Sequence, residues 1–263
     1  MNADQSLISA NRSRRAALIA PLLAALPALA ALALAPLLLP RSALAATSQG
    51  SGATATETRN VAEFLAVALS GSMDLVLRQG PQAVQVQADD NLLPLLETVV
   101  EQGSHGATLH VRWKKNNSLH TRSKVLVTVT SPKLSSLASS GAGDIKVDSY
   151  STPALKISTS GSGHVRLDKL NTDELDISIA GSSDVVGNGK TTRLKVGIAG
   201  SGDVRLADLQ ADDVAIRIAG SGNAAVNAQK TLAVSILGSG DVRYTGNPAL
   251  KSSVAGSGSI SKK

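Results

Sequence analysis

The chain contains no cysteine, and its aromatic residues are confined to Phe64, Trp113, Tyr150 and Tyr244. The first absence excludes a disulfide scaffold and any thiolate nucleophile or metal ligand. The second removes the stacking surfaces on which unpaired bases are held. It also forces the core to be built from Val, Ile, Leu and Ala. Histidine is thin as well: His105, His110, His120 and His164 are scattered, leaving little for histidine-rich metal chemistry. Serine is abundant, but no Gly-x-Ser-x-Gly segment sits at a strand-to-helix elbow, so a hydrolase nucleophile is not indicated. Adjacent acids occur at Asp173-Glu174 and Asp212-Asp213. A carboxylate pair could serve glycoside cleavage, but the repeat region around them has only Tyr150 and Tyr244 as sugar platforms. No catalytic residue is assigned, no cofactor is expected, and the chain reads as a non-enzyme.

The first segment reads as an address. Arg12, Arg14 and Arg15 precede a run from Ala16 to Leu39 made only of Ala, Leu, Ile and Pro. Ala43-Leu44-Ala45 then supplies a small-x-small cleavage pattern. Residues 1–45 are therefore expected to be a signal peptide, directing export to the periplasm or cell surface. If retained, the run is long enough to span a bilayer, and membrane contact is expected only in that case. Without residues 1–45 the net charge falls from +6 to +3, and no nucleic-acid partner is indicated. Residues 46–57 are small and polar and read as a flexible linker.

What the chain has in abundance is glycine at regular intervals. A corner recurs with first glycines at Gly141, Gly161, Gly181, Gly200, Gly220, Gly238 and Gly256, typified by Gly200-Ser201-Gly202-Asp203. The steps are 20, 20, 19, 20, 18 and 18 residues. Six residues before each corner from Gly161 onward stands an apolar residue: Leu155, Leu175, Leu194, Val214, Leu232 and Leu250. The residues between alternate apolar and polar, and a second alternating run follows each corner. Period two puts the apolar set on one face of a strand.

These features predict an all-β fold, a parallel β-solenoid or β-helix of about 19-residue coils, right-handed like other parallel crossovers. One coil cannot bury its own apolar face, so coils stack. Leu155, Leu175, Leu194, Val214, Leu232 and Leu250 form one inward ladder. Ile157, Ile177, Val196, Ile216 and Val234 form a second. The corner glycines provide positive φ and close approach of successive backbones. The corner Asp or Asn is expected to bond local N–H groups as an Asx-turn.

Residues 136–263 are assigned to the repeats and residues 58–135 to N-terminal strands that cap the solenoid. Within the cap, 91–100 reads as a short helix begun by Asn91 and stopped by Gly103. Trp113–Arg122 reads as a loop.

The order of these features resembles a known family. Phe64 and Leu77 precede a Gly80 turn, and Asn91-Leu92-Leu93 follows. Val125–Thr130 then leads into Ser131-Pro132-Lys133-Leu134 and the serial corners. The segment from Gly238 to Pro248 is similar to the family's ending. From about Thr58 to Ile260 the chain resembles the GIN domain, the head domain described for autotransporter adhesins of bacterial envelopes. The resemblance implies one exported β-helical domain over 58–263, adhesin-like, with no catalytic residues to carry over.

Three surfaces are candidates for recognition. The corner acids Asp144, Asp184, Asp203 and Asp241 form a column that could hold calcium. Their single Gly-x-Gly-Asp per coil, interrupted by His164 and Asn223, departs from calcium-binding β-rolls, and no metal is expected. Just after the corners, Lys146, Arg166, Arg205 and Arg243 form an outward basic ladder that could meet an acidic glycan or headgroup, or simply keep the face soluble. Before the corners, Ser158, Ser178, Gly197, Ser235 and Ser253 make a flat face of small residues, open to a partner sheet or a glycan. The last coil, 250–260, leaves a strand edge through which copies could join. The expected function is non-catalytic binding or scaffolding at the cell envelope. A polysaccharide-active enzyme and a self-assembling structural protein are the alternatives.

Overall fold

The structure, a computed structural model, describes residues 46–103, 106–115 and 117–263; the expected signal peptide lies outside the described residues. The alternation read from the sequence becomes a stack of strands. The N-terminal strands are β1 (Ala46–Gln49), β2 (Thr54–Thr58), β3 (Ala66–Ser70), β4 (Asp74–Gln79) and β5 (Ala83–Asp89). After a single 3-10 turn at Leu93–Leu95 come β6 (Leu96–Gly103), β7 (Gly106–Trp113), β8 (Asn117–His120) and β9 (Leu126–Ser131). The repeats supply β10 (Ser136–Gly141), β11 (Ile145–Asp148), β12 (Ser151–Gly161), β13 (His164–Gly181) and β14 (Asp184–Gly200). They continue as β15 (Val204–Gly220), β16 (Ala224–Gly238), β17 (Val242–Thr245), β18 (Ala249–Gly256) and β19 (Ile260–Lys262).

Repeat strands pair in parallel with the same position of the next coil. Leu155, Leu175, Leu194, Val214, Leu232 and Leu250 stand in one register. All are buried except Leu250 at the end of the stack. A second buried column runs through Ile157, Ile177, Val196, Ile216 and Val234, and a third through Ile179, Ile198, Ile218 and Ile236. β-Branched side chains dominate because they fill a pleated, stacked surface with little loss of rotamer freedom.

The corner glycines are sterically required. At Gly161 the backbone has φ +149°, and a Cβ would lie 1.9 Å from the Gly141 carbonyl oxygen. The far bend of each coil has no fixed residue: Ser149 and Lys169 adopt φ near +50° there, and Gly189 and Gly246 take positive φ in other coils. Register shifts at Leu167/Leu170, Val186/Asn188 and Leu206/Gln210 all fall at this side. That is why the repeat length varies while the corner does not.

Three N-terminal expectations are corrected. The short helix over 91–100 is absent: only Leu93–Leu95 turns, and β6 pairs antiparallel with β7. Thr98, Val99 and Val100 favour extended backbone, and the leucines that suggested a helical face, Leu92, Leu93 and Leu96, are buried around one tight turn instead. The linker over 46–57 contains two strands. Thr-rich β2 pairs antiparallel with β5, and β1 pairs in parallel with β8. β8 in turn occupies part of the segment read as the loop Trp113–Arg122.

The first coil is also threaded out of order. β3 lies between β7 and β10, and β4 lies between β9 and β11. Beyond them β6 closes one edge antiparallel to β7, while β5 and β2 close the other. The buried Asp89 carboxylate ties this cap together. It accepts backbone N–H bonds from Gly52, Arg122 and Ser123, and the Ser123 hydroxyl donates to it at 2.9 Å.

Candidate functional site

The corner acids form the expected column but do different work from the local Asx-turn. Each bonds along the stack rather than along the chain. Oδ1 of Asp144 accepts from the His164 N–H at 3.0 Å, and Oδ1 of Asp184 from the Asp203 N–H at 3.1 Å. Asp203 caps Asn223, Asn223 caps Asp241, and Asp241 caps Ser259 in the same way. The corner interrupts the backbone ladder, and the carboxylate replaces the missing carbonyl one coil away. Asp241 is held below the usual carboxylate range by the Ser259 hydroxyl and then its N–H. Burial pushes Asp203 upward, but the Asn223 side chain and N–H, with Arg205, outweigh it and leave that group low. Among the described residues no group of three or more His, Asp or Glu side chains is placed to hold a metal.

The basic ladder is also in register: Lys146 opposes Arg166, and Val186 and Ala225 fill the places between Arg166, Arg205 and Arg243. Its charge is largely engaged by acids. Arg166 pairs with Asp168 at 3.0 Å, and Arg205 with Asp203 at 3.2 Å and Asp184 at 3.4 Å. Lys146 lies 3.9 Å from both Asp148 and Asp168. Two of the acids considered for hydrolysis, Glu174 and Asp212, are counter-ions too. Glu174 is lowered by hydrogen bonds from Lys195 and Arg193, and Asp212 pairs with Lys230 at 2.8 Å. A general acid needs its pKa raised, not lowered.

The small-residue face before the corners is a trough of about 800 Å³ running across the coils. Its floor contains Ser158, Ser178, Gly197 and Ser235 in one column. Ser253 continues the column one coil farther, beyond the trough. Sequence reasoning missed the second column, the residues just before each corner glycine: Ser160, Ala180, Ala199, Ala219 and then Leu237. The smallness of the first four was visible in the repeat. Also missed was Arg217, which opposes Gly197 and Ser235 in the first column. It is exposed, and among the described residues no salt bridge to it is formed within 4.0 Å. His110 lines the other end.

Comparison with known proteins places these features in context. Residues 63–248 match the family model described as "Putative auto-transporter adhesin, head GIN domain". A solved structure named as a putative adhesin from Bacteroides fragilis is 24% identical, with a TM-score of 0.77 over 82% of this chain and 100% of its own. A putative adhesin from Parabacteroides merdae is 22% identical, with a TM-score of 0.67 over 82% of this chain and 99% of its own. These two likenesses concern the fold. A structure named as a putative lipid binding protein from Parabacteroides distasonis is 28% identical, with a TM-score of 0.68 over 83% of this chain and 100% of its own. Among curated proteins no sequence matches this one.

Proposed function

The chain belongs to the GIN head-domain family, and from that premise we propose that it is an exported, non-catalytic binding module of the cell envelope, in the periplasm or at the cell surface. Its ligand is elongated and lies along the trough before the corners. The observation that carries this reading is the trough itself: a walled surface repeated coil after coil offers the same contacts along a length, not at a point. With strands about 4.8 Å apart, it suits a chain-like molecule.

The chemistry of the wall selects among such molecules. Ala180, Ala199, Ala219 and Leu237 supply apolar contact, and no Phe, Tyr or Trp ring is present to stack on a sugar. Arg217 offers a cation within the trough. This combination favours an amphiphile, with its hydrocarbon along the trough and its acidic group at Arg217. The name of the Parabacteroides distasonis relative agrees with that choice. Lys146, Arg166 and Arg205 are engaged by acids, and with only Arg243 outside those pairs the basic ladder is the weaker candidate surface.

The test is a binding screen with residues 46–263 against fatty acids, anionic phospholipid vesicles and envelope glycans, with calcium and with chelator. Saturable, calcium-independent lipid binding is expected. Ala199→Trp, which fills the trough from an exposed position, should abolish it, and Arg217→Ala should weaken it about tenfold, the scale of one charge-assisted contact. Glycan binding insensitive to both variants would move the site to another face.

A further inference from the structure

The two ends of the stack differ, and the difference points to a partner. The end formed by β7 and β9 is closed by antiparallel strands β6, β5 and β2. At the other end, nothing among the described residues pairs with the outer edge of β18. Leu250 and Val254, which continue the buried columns of Leu232 and Ile236, are 42% and 41% exposed there.

The phase of the ladder fixes which groups are free. The Ser257 N–H donates to the Gly238 carbonyl at 3.0 Å. Counting back in parallel register, Lys251, Ser253 and Ala255 direct their backbone groups to β16. Leu250, Ser252 and Val254 therefore turn theirs to the open side. These three residues are also the ones whose side chains face the core.

We propose that β18 pairs antiparallel with β18 of a second copy of this chain, about a two-fold axis at Ser252. In that register Ser252 meets Ser252, and Leu250 meets Val254 in both directions. Every residue with outward N–H and C=O faces another such residue, and the exposed apolar side chains cover each other on the core side. A shift by one residue would oppose free groups to groups already bonded. Lys251, the charged guard on this strand, falls opposite Ser253 rather than its own copy. The interface is self-complementary, as an isologous contact must be. Because the opposite end is closed, assembly stops at a dimer and does not continue as a filament.

Sedimentation of residues 46–263 across a concentration series tests this, and it is independent of ligand binding in the trough. A monomer–dimer equilibrium is expected, tightening as salt screens Lys251, Lys262 and Lys263. Ser252→Pro removes an outward donor without touching the β16 ladder and should give a monomer. Val254→Lys should do the same if the proline variant does not fold. The chain has no cysteine, so Ser252→Cys should cross-link to a covalent dimer under mild oxidation, whereas Ser235→Cys in the trough should not. A wild-type monomer at every concentration, a dimer that survives Ser252→Pro and Val254→Lys, or equal cross-linking at both positions overturns the proposal.

Discussion

Replacing Gly200 by alanine would put a methyl carbon 2.2 Å from the Gly181 carbonyl oxygen, at a φ of +133°. Strain and overpacking act together, and a loss of about 3 kcal/mol is expected in denaturant titration. The opposite holds one corner earlier. Ser183 stands where Gly163 and Gly202 stand in their coils; it is buried, and its hydroxyl has no partner. Ser183→Gly removes that orphaned group, worth about 1–3 kcal/mol, against roughly 0.5–1 kcal/mol of added chain entropy. A net gain of about 1 kcal/mol is expected by the same titration. The corner glycines were legible because close backbone approach recurs in every coil and so recurs in the sequence. The cost at Ser183 was not, since it depends on what one coil's carbonyl meets in the next. Arg217 was hidden for a related reason: only the register shows that it rises from a column of small residues.

At the scale of elements, the corner column couples the coils to pH. Asp241, Asp203 and Asp89 all have folded carboxyl pKa values below the ordinary range. For Asp89, burial acts upward, and the Arg122, Ser123 and Gly52 donors outweigh it. A lowered folded value means stabilisation that is complete above the unfolded pKa of about 3.9 and lost as pH falls through the folded values. Stability should therefore be level near neutrality and decline only in acid. Asn223 does the same capping without a charge, so Asp241→Asn should keep neutral stability and flatten the acid decline, while Asp241→Ala should lose stability already at neutrality. Denaturation at neutral and acid pH separates the two. The repeat strands were readable because period two is a local signal. β6 was not, because its leucines satisfy a helical spacing until their tertiary neighbours are known. The acid bonds were misassigned for the converse reason: their partners lie a whole coil away, and the sequence suggested nearer ones.

For the whole molecule, the repeats announced a parallel stack, but the order of the first coils was not legible. Strand β3 pairs with residues 108–112 on one side and 136–140 on the other. No spacing in the chain marks either partner. A fragment ending at residue 135 lacks β10 and β11 and should remain unfolded by circular dichroism, whereas one ending at Gly200 should fold cooperatively. The same threading governs how the protein is made. A chain growing from its N-terminus completes β3 and β4 early, yet their second flank arrives only with residues 136–148. Until then the nascent coil presents apolar edges to its surroundings, and a long interval of chaperone dependence is built into the order in which the strands are synthesised.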